Sequence, residues 1–483
     1  MARQPDTSGQ RREQLEKVIP FRSYIALGLG IVVGIGWVIY SGNWLRDGGP
    51  LGAMLAFMLG GLMLIPVGKC YGELTAALPV AGGEVAFSYK AFGSFIAFLT
   101  GWALAFGYVT VTPFETIAIG ALLEAIFPAL TTPTLYHVGH SAVRLSTLLP
   151  GLMIGVFLIW LNYRGTQSST RFQTLAIAAL FACTAVFTAV ALIKGDPANL
   201  TPLFSHQGPV WVAAPASIIA VIVVVPWFMS GFDAIPQAAE EAGLKMPPER
   251  LGTAIITTII AGALFYVLII LAVAISMPWH LSSKLALPTA AVFRAAFGYD
   301  WAARLVLITA LMGLVTTLNG MYIAASRLIF SLGRGGLLPH WFADVHPRHH
   351  TPKNAILFVG AVSLAGPFIG KAALAPIVSS SSLGFSAALF ITCLSAIRLR
   401  HTAPDMARPY RVGAPTLYAG AAVALVLVLL MVLPQSPGQL AGVEFAIIGL
   451  WMAVGLPAYA WRQAKKDLSQ TARAYLILGE KPP

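Results

Sequence analysis

The chain has 483 residues, 57% of them hydrophobic and only 10% charged, with a mean hydropathy of +0.77 and a formal net charge of +12. Average soluble domains carry about 25% charged residues, so a water-soluble fold of this length is excluded and the lipid bilayer is the expected solvent. The positive charge does not point to a nucleic-acid partner, because the basic residues lie between apolar stretches, where they act as topology signals facing an anionic leaflet.

In chain order, residues 1–22 are polar and basic without an apolar segment of their own, which fits a retained tail and not a cleaved signal peptide. A transmembrane helix needs about 20 mostly apolar residues. Stretches free of Lys, Arg, Asp and Glu run over 23–45, 51–68, 91–114, 145–163, 172–193, 207–232, 251–283, 305–326, 354–370, 372–397, 412–443 and 445–461. These predict twelve helices, the third continuing through Glu115 to about residue 127, and both termini on one side. With the termini cytoplasmic, 24 of the 31 Lys and Arg fall on the inner side. Only Arg46, Arg144, Lys194, Lys284, Arg294, Arg304 and Lys371 fall outside, as the positive-inside rule requires. The expected setting is a cell (inner) membrane or plasma membrane.

Two spans carry interruptions. The first has Gly28, Gly30, Gly34 and Gly36 in nine residues, each costing a helix about 1 kcal/mol relative to Ala; close helix packing through small residues is the competing explanation. The sixth combines Pro226, Gly231, Asp233 and Pro236. Proline removes a backbone donor and clashes with the preceding turn. The groups it frees survive in lipid only where they line a cavity or a site. Gly34 and Gly231 are 197 residues apart, in the first and the sixth span, five places on in the count, the placement expected of two inverted five-helix repeats followed by two extra helices. The predicted units are a tail (1–22), repeats at 23–200 and 201–400, helices 11 and 12 at 401–462, and a second tail (463–483).

Four motifs make the chain resemble the amino acid–polyamine–organocation (APC) transporter family. They are Glu73-Leu74-Thr75 through Gly82-Gly83-Glu84 to Ala91-Phe92-Gly93; Gly34-Ile35-Gly36; Gly231-Phe232-Asp233 with Glu240-Glu241; and Ala325-Ser326-Arg327 through Gly335-Gly336-Leu337 to Thr351-Pro352-Lys353. The resemblance implies an all-α, five-plus-five inverted-repeat (LeuT-like) fold, a central site at the two breaks, and alternating access. It places Gly34, Ile35, Gly36 and Trp37 on one side of that site, and Trp227, Phe228, Ser230, Gly231, Phe232 and Asp233 on the other. Helix eight adds Thr317, Asn319 and Met321. Two departures stand out. Ile35 occupies a position where many members have Ser or Thr, so a carboxylate there relies on backbone amides. The fifth span has no lysine, whereas some proton-coupled members carry one near the level of Ala179 or Leu180.

Acids at membrane depth are costly and functional suspects. Asp233 lies at the sixth-helix break, where it reads as a site acid or a helix cap. Tyr108, Thr112 and Glu115 follow i, i+4, i+7 spacing and share one helix face; Glu115 reads as a cavity acid or as an outer-interface carboxylate. Two acids favour a solute with a positive amine, over which Trp227 or Phe228 can pack. Proton coupling would fall to Asp233 or Glu115. Sodium coupling would use carbonyls near Val33 and Gly34 with Thr316 or Thr317; exchange would need neither. Ser379 to Ser382 read as polar packing or cavity lining, and Glu240 and Glu241 as gate acids or solvated ones. Cys70, Cys183 and Cys393 are spaced as small core residues, and the His340–His350 loop lacks metal spacing, so no cofactor or metal is expected. An enzyme lacks a motif here, and the short tails leave little room for a sensor. The expected function is transport of a small amino acid or amine by proton symport or exchange, with sodium symport as the alternative.

Overall fold

The computed structural model describes residues 12–480 except 140, 286, 299, 371–373 and 437–438. Residues 1–11 and 481–483 of the two expected tails, and Lys371, lie outside the described residues. The first span is two helices, α1 (Phe21–Val32) and α2 (Gly36–Ile39), separated at residues 33–35. In α3 (Ser41–Ala77) a short leading stretch meets the second span at Gly49, whose φ of +67° turns the chain into Pro50. Then come α4 (Gly83–Phe92), α5 (Ser94–Ile126), an antiparallel hairpin β1 (Thr134–Val138) and β2 (Ser141–Arg144), α6 (Leu145–Arg164) and α7 (Thr166–Lys194). The sixth span is divided into α8 (Val210–Ile222), α9 (Val225–Phe228) and α10 (Ala234–Gln237). It is followed by α11 (Glu249–Ser276), α12 (Trp279–Ser282), α13 (Pro288–Phe297), α14 (Asp300–Arg334), α15 (Lys353–Ile369) and α16 (Leu374–Thr402). The last helices are α17 (Ala414–Val432), α18 (Gly442–Ala464) and α19 (Gln470–Leu478).

This is an all-α, multi-pass membrane architecture. Ten helices among the described residues are long and apolar enough to cross a membrane. The other two expected spans are the apolar α8, cut short by its break, and the 17-residue α15. α14 runs well beyond the expected 305–326 because Arg327 and Arg334 are buried inside it; paired charges do not end a helix as bare ones would. The second tail is not wholly irregular: Ser469 caps α19 by accepting from the Ala472 N–H at 3.0 Å.

The two interrupted spans cross at the centre, and glycines let them touch. A Cβ on Gly231 (φ +136°) would stand 2.8 Å from the Gly28 carbonyl oxygen, and one on Gly313 of α14 would meet the Val33 and Gly34 carbonyls at 2.8 Å. At such distances backbone must shift, so glycine is required at both positions.

The face that carries both termini is sealed by buried ion pairs. Arg327 donates to Glu241 through Nε (2.8 Å) and Nη2 (3.1 Å), and both side chains are fully buried. Arg334 donates to both oxygens of Glu240, at 2.8 and 2.7 Å. Arg12 adds a bond to Glu240 Oε2 at 2.9 Å, the Ala81 N–H another at 3.1 Å, and Arg12 Nε reaches the Leu476 carbonyl at 3.3 Å. One carboxylate thus ties together the N-terminal segment, the α3–α4 turn, the sixth span and α14. Burial alone would raise the Glu240 carboxyl, but Arg334 and Arg12 overcome it and hold the group at about 2. Its stabilisation is therefore complete above the ordinary value of 4.5 and lost only as pH falls towards 2. We predict that the wild-type melting temperature shows no step from this pair between pH 5 and pH 8. Glu240→Gln, which strands a buried guanidinium, should cost about 3–5 kcal/mol and speed amide exchange in residues 12–19 and 470–478. Unchanged exchange in both segments would refute the seal.

Candidate functional site

A cavity of about 500 Å³ runs from Asp233 and Phe232 at the sixth-span break, past Trp227, Phe228 and Ser230, to Asn43, Asp47, Gln439 and Glu444 near the face opposite the termini. A smaller recess of about 50 Å³ lies deeper, between the two breaks. Its walls include Gly34, Ile35 and Gly36 from the first break, Glu115 from α5, and Thr317 and Met321 from α14. Tyr40, Trp227, Phe228, Ser230 and Phe385 line both spaces and form the partition between them. The partition is largely aromatic: the Phe228 ring meets Tyr40 at 5.5 Å, Trp44 at 4.9 Å and Trp227 at 4.9 Å, each edge-on.

The two acids are held differently. Asp233 is 1% exposed and fully engaged: Tyr108 donates its hydroxyl to Oδ2 at 2.8 Å and the Gly231 N–H donates to Oδ1 at 2.7 Å. Asp233 therefore fixes the backbone of the break at Gly231 while lining the cavity floor, and its side chain makes no cap bond to α10. Glu115 is 4% exposed, and its Oε2 has no hydrogen-bond partner among the described residues. It lines the recess and is not an outer-interface carboxylate. An unpartnered carboxylate oxygen in such a space can receive a cationic amine or a proton.

Several expected site residues face elsewhere. Trp37 stacks on Phe187 at 5.5 Å and meets Phe265 edge-on, packing behind the first break. Thr112 returns its hydroxyl to the Val109 carbonyl (2.9 Å) of its own helix and lines neither space, although it shares a helix face with Glu115; Pro113 follows it in α5. Asn319 belongs to a separate buried network, accepting from Asn162 Nδ2 at 2.8 Å and donating to Gln173 Oε1 at 2.9 Å. Thr316 donates to the Gly313 carbonyl of its own helix at 2.9 Å. Gly231 acts through its backbone. Of the serine run, Ser379 and Ser382 line the large cavity, while Ser380 bonds its own helix.

Sequence reasoning missed Gln173 of α7. Its Nε2 donates to the Thr316 carbonyl at 2.9 Å and the Ala26 carbonyl at 3.4 Å, so a neutral amide pins the first span to α14 beside the break. Thr317 makes a parallel link, donating to the Gly30 carbonyl at 2.9 Å. A polar amide inside an apolar span was the available signal, hidden by attention to lysine alone. Tyr40, Asn43 and Asp47 were also missed, because α2 and the start of α3 turn inward over the cavity. Among the described residues no group of three His, Cys, Asp or Glu is gathered for a metal.

Comparison with known proteins places the chain in a family. The model of a family described as amino acid permease matches residues 19–456. A branched-chain amino acid permease of Bacillus subtilis is 27% identical over 460 residues, 94% of both chains. A methylthioribose transporter of the same organism is 28% identical over 92% of both. A chloroplastic cationic amino acid transporter of Arabidopsis thaliana is 27% identical over 73% of this chain and 60% of its own length. With a family match over nearly its whole length, four motifs in order and two broken helices meeting at a cavity, the chain belongs to the amino acid permease family of APC transporters.

Proposed function

We propose that this protein is an alternating-access secondary transporter of a small amino acid or amine, working by proton-coupled symport or by exchange. The unpartnered carboxylate oxygen of Glu115, facing the recess between two interrupted helices, carries this reading. In it the solute's amine pairs with Glu115 and its carboxylate meets backbone amides of the first break. Asp233, fixed by Tyr108 and Gly231, keeps the break in shape and adds negative potential. Trp227, Phe228 and Tyr40 form the gate between recess and outer cavity. Residues 23–200 and 201–400 act as inverted repeats that rock about this site. The protein sits in a cell (inner) membrane with both termini cytoplasmic, in line with the distribution of Lys and Arg. The sealed terminal face and the open cavity then correspond to an outward-facing state. The relatives named for branched-chain and for cationic amino acids favour an α-amino acid.

The reading against sodium rests on the linkage between the first span and α14. The Thr317 hydroxyl and the Gln173 amide already satisfy the Gly30 and Ala26 carbonyls of the first span, and the Thr316 hydroxyl is spent on its own helix, leaving the first span joined to α14 without an ion.

Glu115→Gln is predicted to weaken binding of the best ligand in a thermal-shift screen of amino acids and amines by about 10- to 100-fold, the loss of one charged hydrogen bond. Asp233→Asn should do likewise, with Tyr108→Phe weaker. Wild-type affinity in both acid mutants would refute the two-acid site. For coupling, liposome uptake is predicted to be equal under sodium and potassium gradients, in wild type and in Thr317→Ala alike. Accumulation driven by sodium alone, and lost in Thr317→Ala, would overturn both proton coupling and exchange.

A further inference from the structure

Among the described residues, four buried polar atoms below the cavity floor have no hydrogen bond of good geometry: Glu84 Oε1, Gln237 Oε1, the Tyr71 hydroxyl and the Thr392 hydroxyl. They come from four elements, α4, α10, α3 and α16, that converge beneath the sixth-span break. The approach is close: a Cβ on Gly83 would stand 2.6 Å from Pro236, and the Gly82 N–H donates to the Gln237 carbonyl at 3.2 Å. Gln237 Nε2 donates to Glu84 Oε2, and at 3.4 Å to the backbone carbonyl of Asp233. A single amide therefore connects Glu84 to the residue that floors the cavity.

Glu84 differs from the other acids buried near the terminal face. Glu73 is paired with Arg400, Glu240 with Arg334, and Glu241 with Arg327. Glu84 is fully buried and has no ion pair among the described residues. The groups that face it are Tyr71 from α3, Tyr108 from α5 and Asp233 at the break, all acids or neutral. From α16 come Thr392 and Cys393, which act on it through Tyr71. The arginines at the near end of α14, Arg327 and Arg334, are committed to Glu241 and Glu240. A carboxylate buried without a cation is far more costly than a carboxylic acid. Protonation would also give Glu84 a hydrogen to donate beside the Gln237 amide oxygen, an acceptor that has no donor among the described residues. Burial first, and the Asp233 charge second, push the Glu84 carboxyl well above the usual carboxylate range.

We propose that Glu84 is a proton-binding site of the transport cycle, holding the coupled proton beneath the sixth-span break, with Gln237 and Tyr71 linking it to the cavity floor. The proton comes from cavity water; no bond other than O–H is made or broken. Tyr71 lies on the route, since its ring packs edge-on against the cavity-lining Phe232 at 5.6 Å. With Glu84 neutral, Asp233 is the one negative charge at the sixth break. Release occurs when the terminal face opens and water reaches the acid. The inference rests on the transporter reading but assigns the proton to a residue outside the solute's own site.

The test separates the two. Infrared difference spectra of the lipid-reconstituted protein, recorded while pH is stepped from 5 to 9, should contain a protonated-carboxyl C=O band that shifts in D₂O. The band should be lost in Glu84→Gln and displaced in frequency in Tyr71→Phe and Gln237→Ala. A band unchanged in Glu84→Gln overturns the proposal; if that variant does not fold, a band undisplaced in both Tyr71→Phe and Gln237→Ala overturns it equally. None of these readings needs a transported solute. In proteoliposomes, Glu84→Gln is expected to keep exchange of labelled L-leucine or L-arginine within about twofold while losing at least tenfold of the accumulation driven by a pH gradient. Wild-type accumulation in Glu84→Gln overturns the proposal. Failure of wild type to move any amino acid or amine would count against the transporter reading, while the infrared band would still decide the proton site.

Discussion

A peptide group inside a bilayer has no water to turn to, and each one left unpaired costs several kcal/mol. Breaking a helix at membrane depth creates such groups deliberately, and much of this structure answers them. At the sixth break, Asp233 accepts from Gly231 and is itself steadied by Tyr108. At the first, Tyr266 donates to the Val32 carbonyl at 2.7 Å, Thr317 to that of Gly30, and Gln173 to that of Ala26. Glycines on the facing helices let backbone approach backbone. The site is what remains: the space around two breaks whose near neighbours are already satisfied.

The same economy of polar groups separates the two ends of the transport route. At the terminal face every acid named in the seal has an arginine, in bidentate geometry that fixes distance and direction together. Towards the cavity, among the described residues, Asp233 has hydroxyl and amide partners but no cation, and Glu115 has a bare oxygen. Fixed arginines make a latch; an acid without one leaves room for a mobile cation. Breaking a buried pair is expensive, so any opening of this face would require several bonds to be exchanged together.

Much of the fold could be read from composition, because the bilayer demands long apolar helices and leaves glycine and proline conspicuous. Gly34, Gly231 and Pro226 marked the breaks for that reason, and Glu115 and Asp233 were visible as acids where acids are rare. Direction was harder to read. Trp37 and Thr112 sit at the right places along their helices yet point into packing, since a rotation of tens of degrees decides between cavity and core and leaves no trace in spacing. Asn319 was expected in the site because it lies beside Thr316 and Thr317 on helix eight; its partners Asn162 and Gln173 come from other helices, and long-range pairs are invisible in a single sequence. The buried arginines of α14 misled the span boundary, because sequence shows a charge but not its counter-ion.

The bond from Arg12 to the Leu476 carbonyl joins residues 464 positions apart. Each membrane span can enter the bilayer as it is made, and the two breaks can meet once the sixth span has followed the first. The latch on the terminal face has to wait, because Arg12 and Glu240 both precede α19, the helix whose Leu476 carbonyl holds Arg12. A chain halted after α18 would keep the pairs of Arg327 and Arg334 yet lack the carbonyl that steadies Arg12, leaving the door on one side only partly fastened.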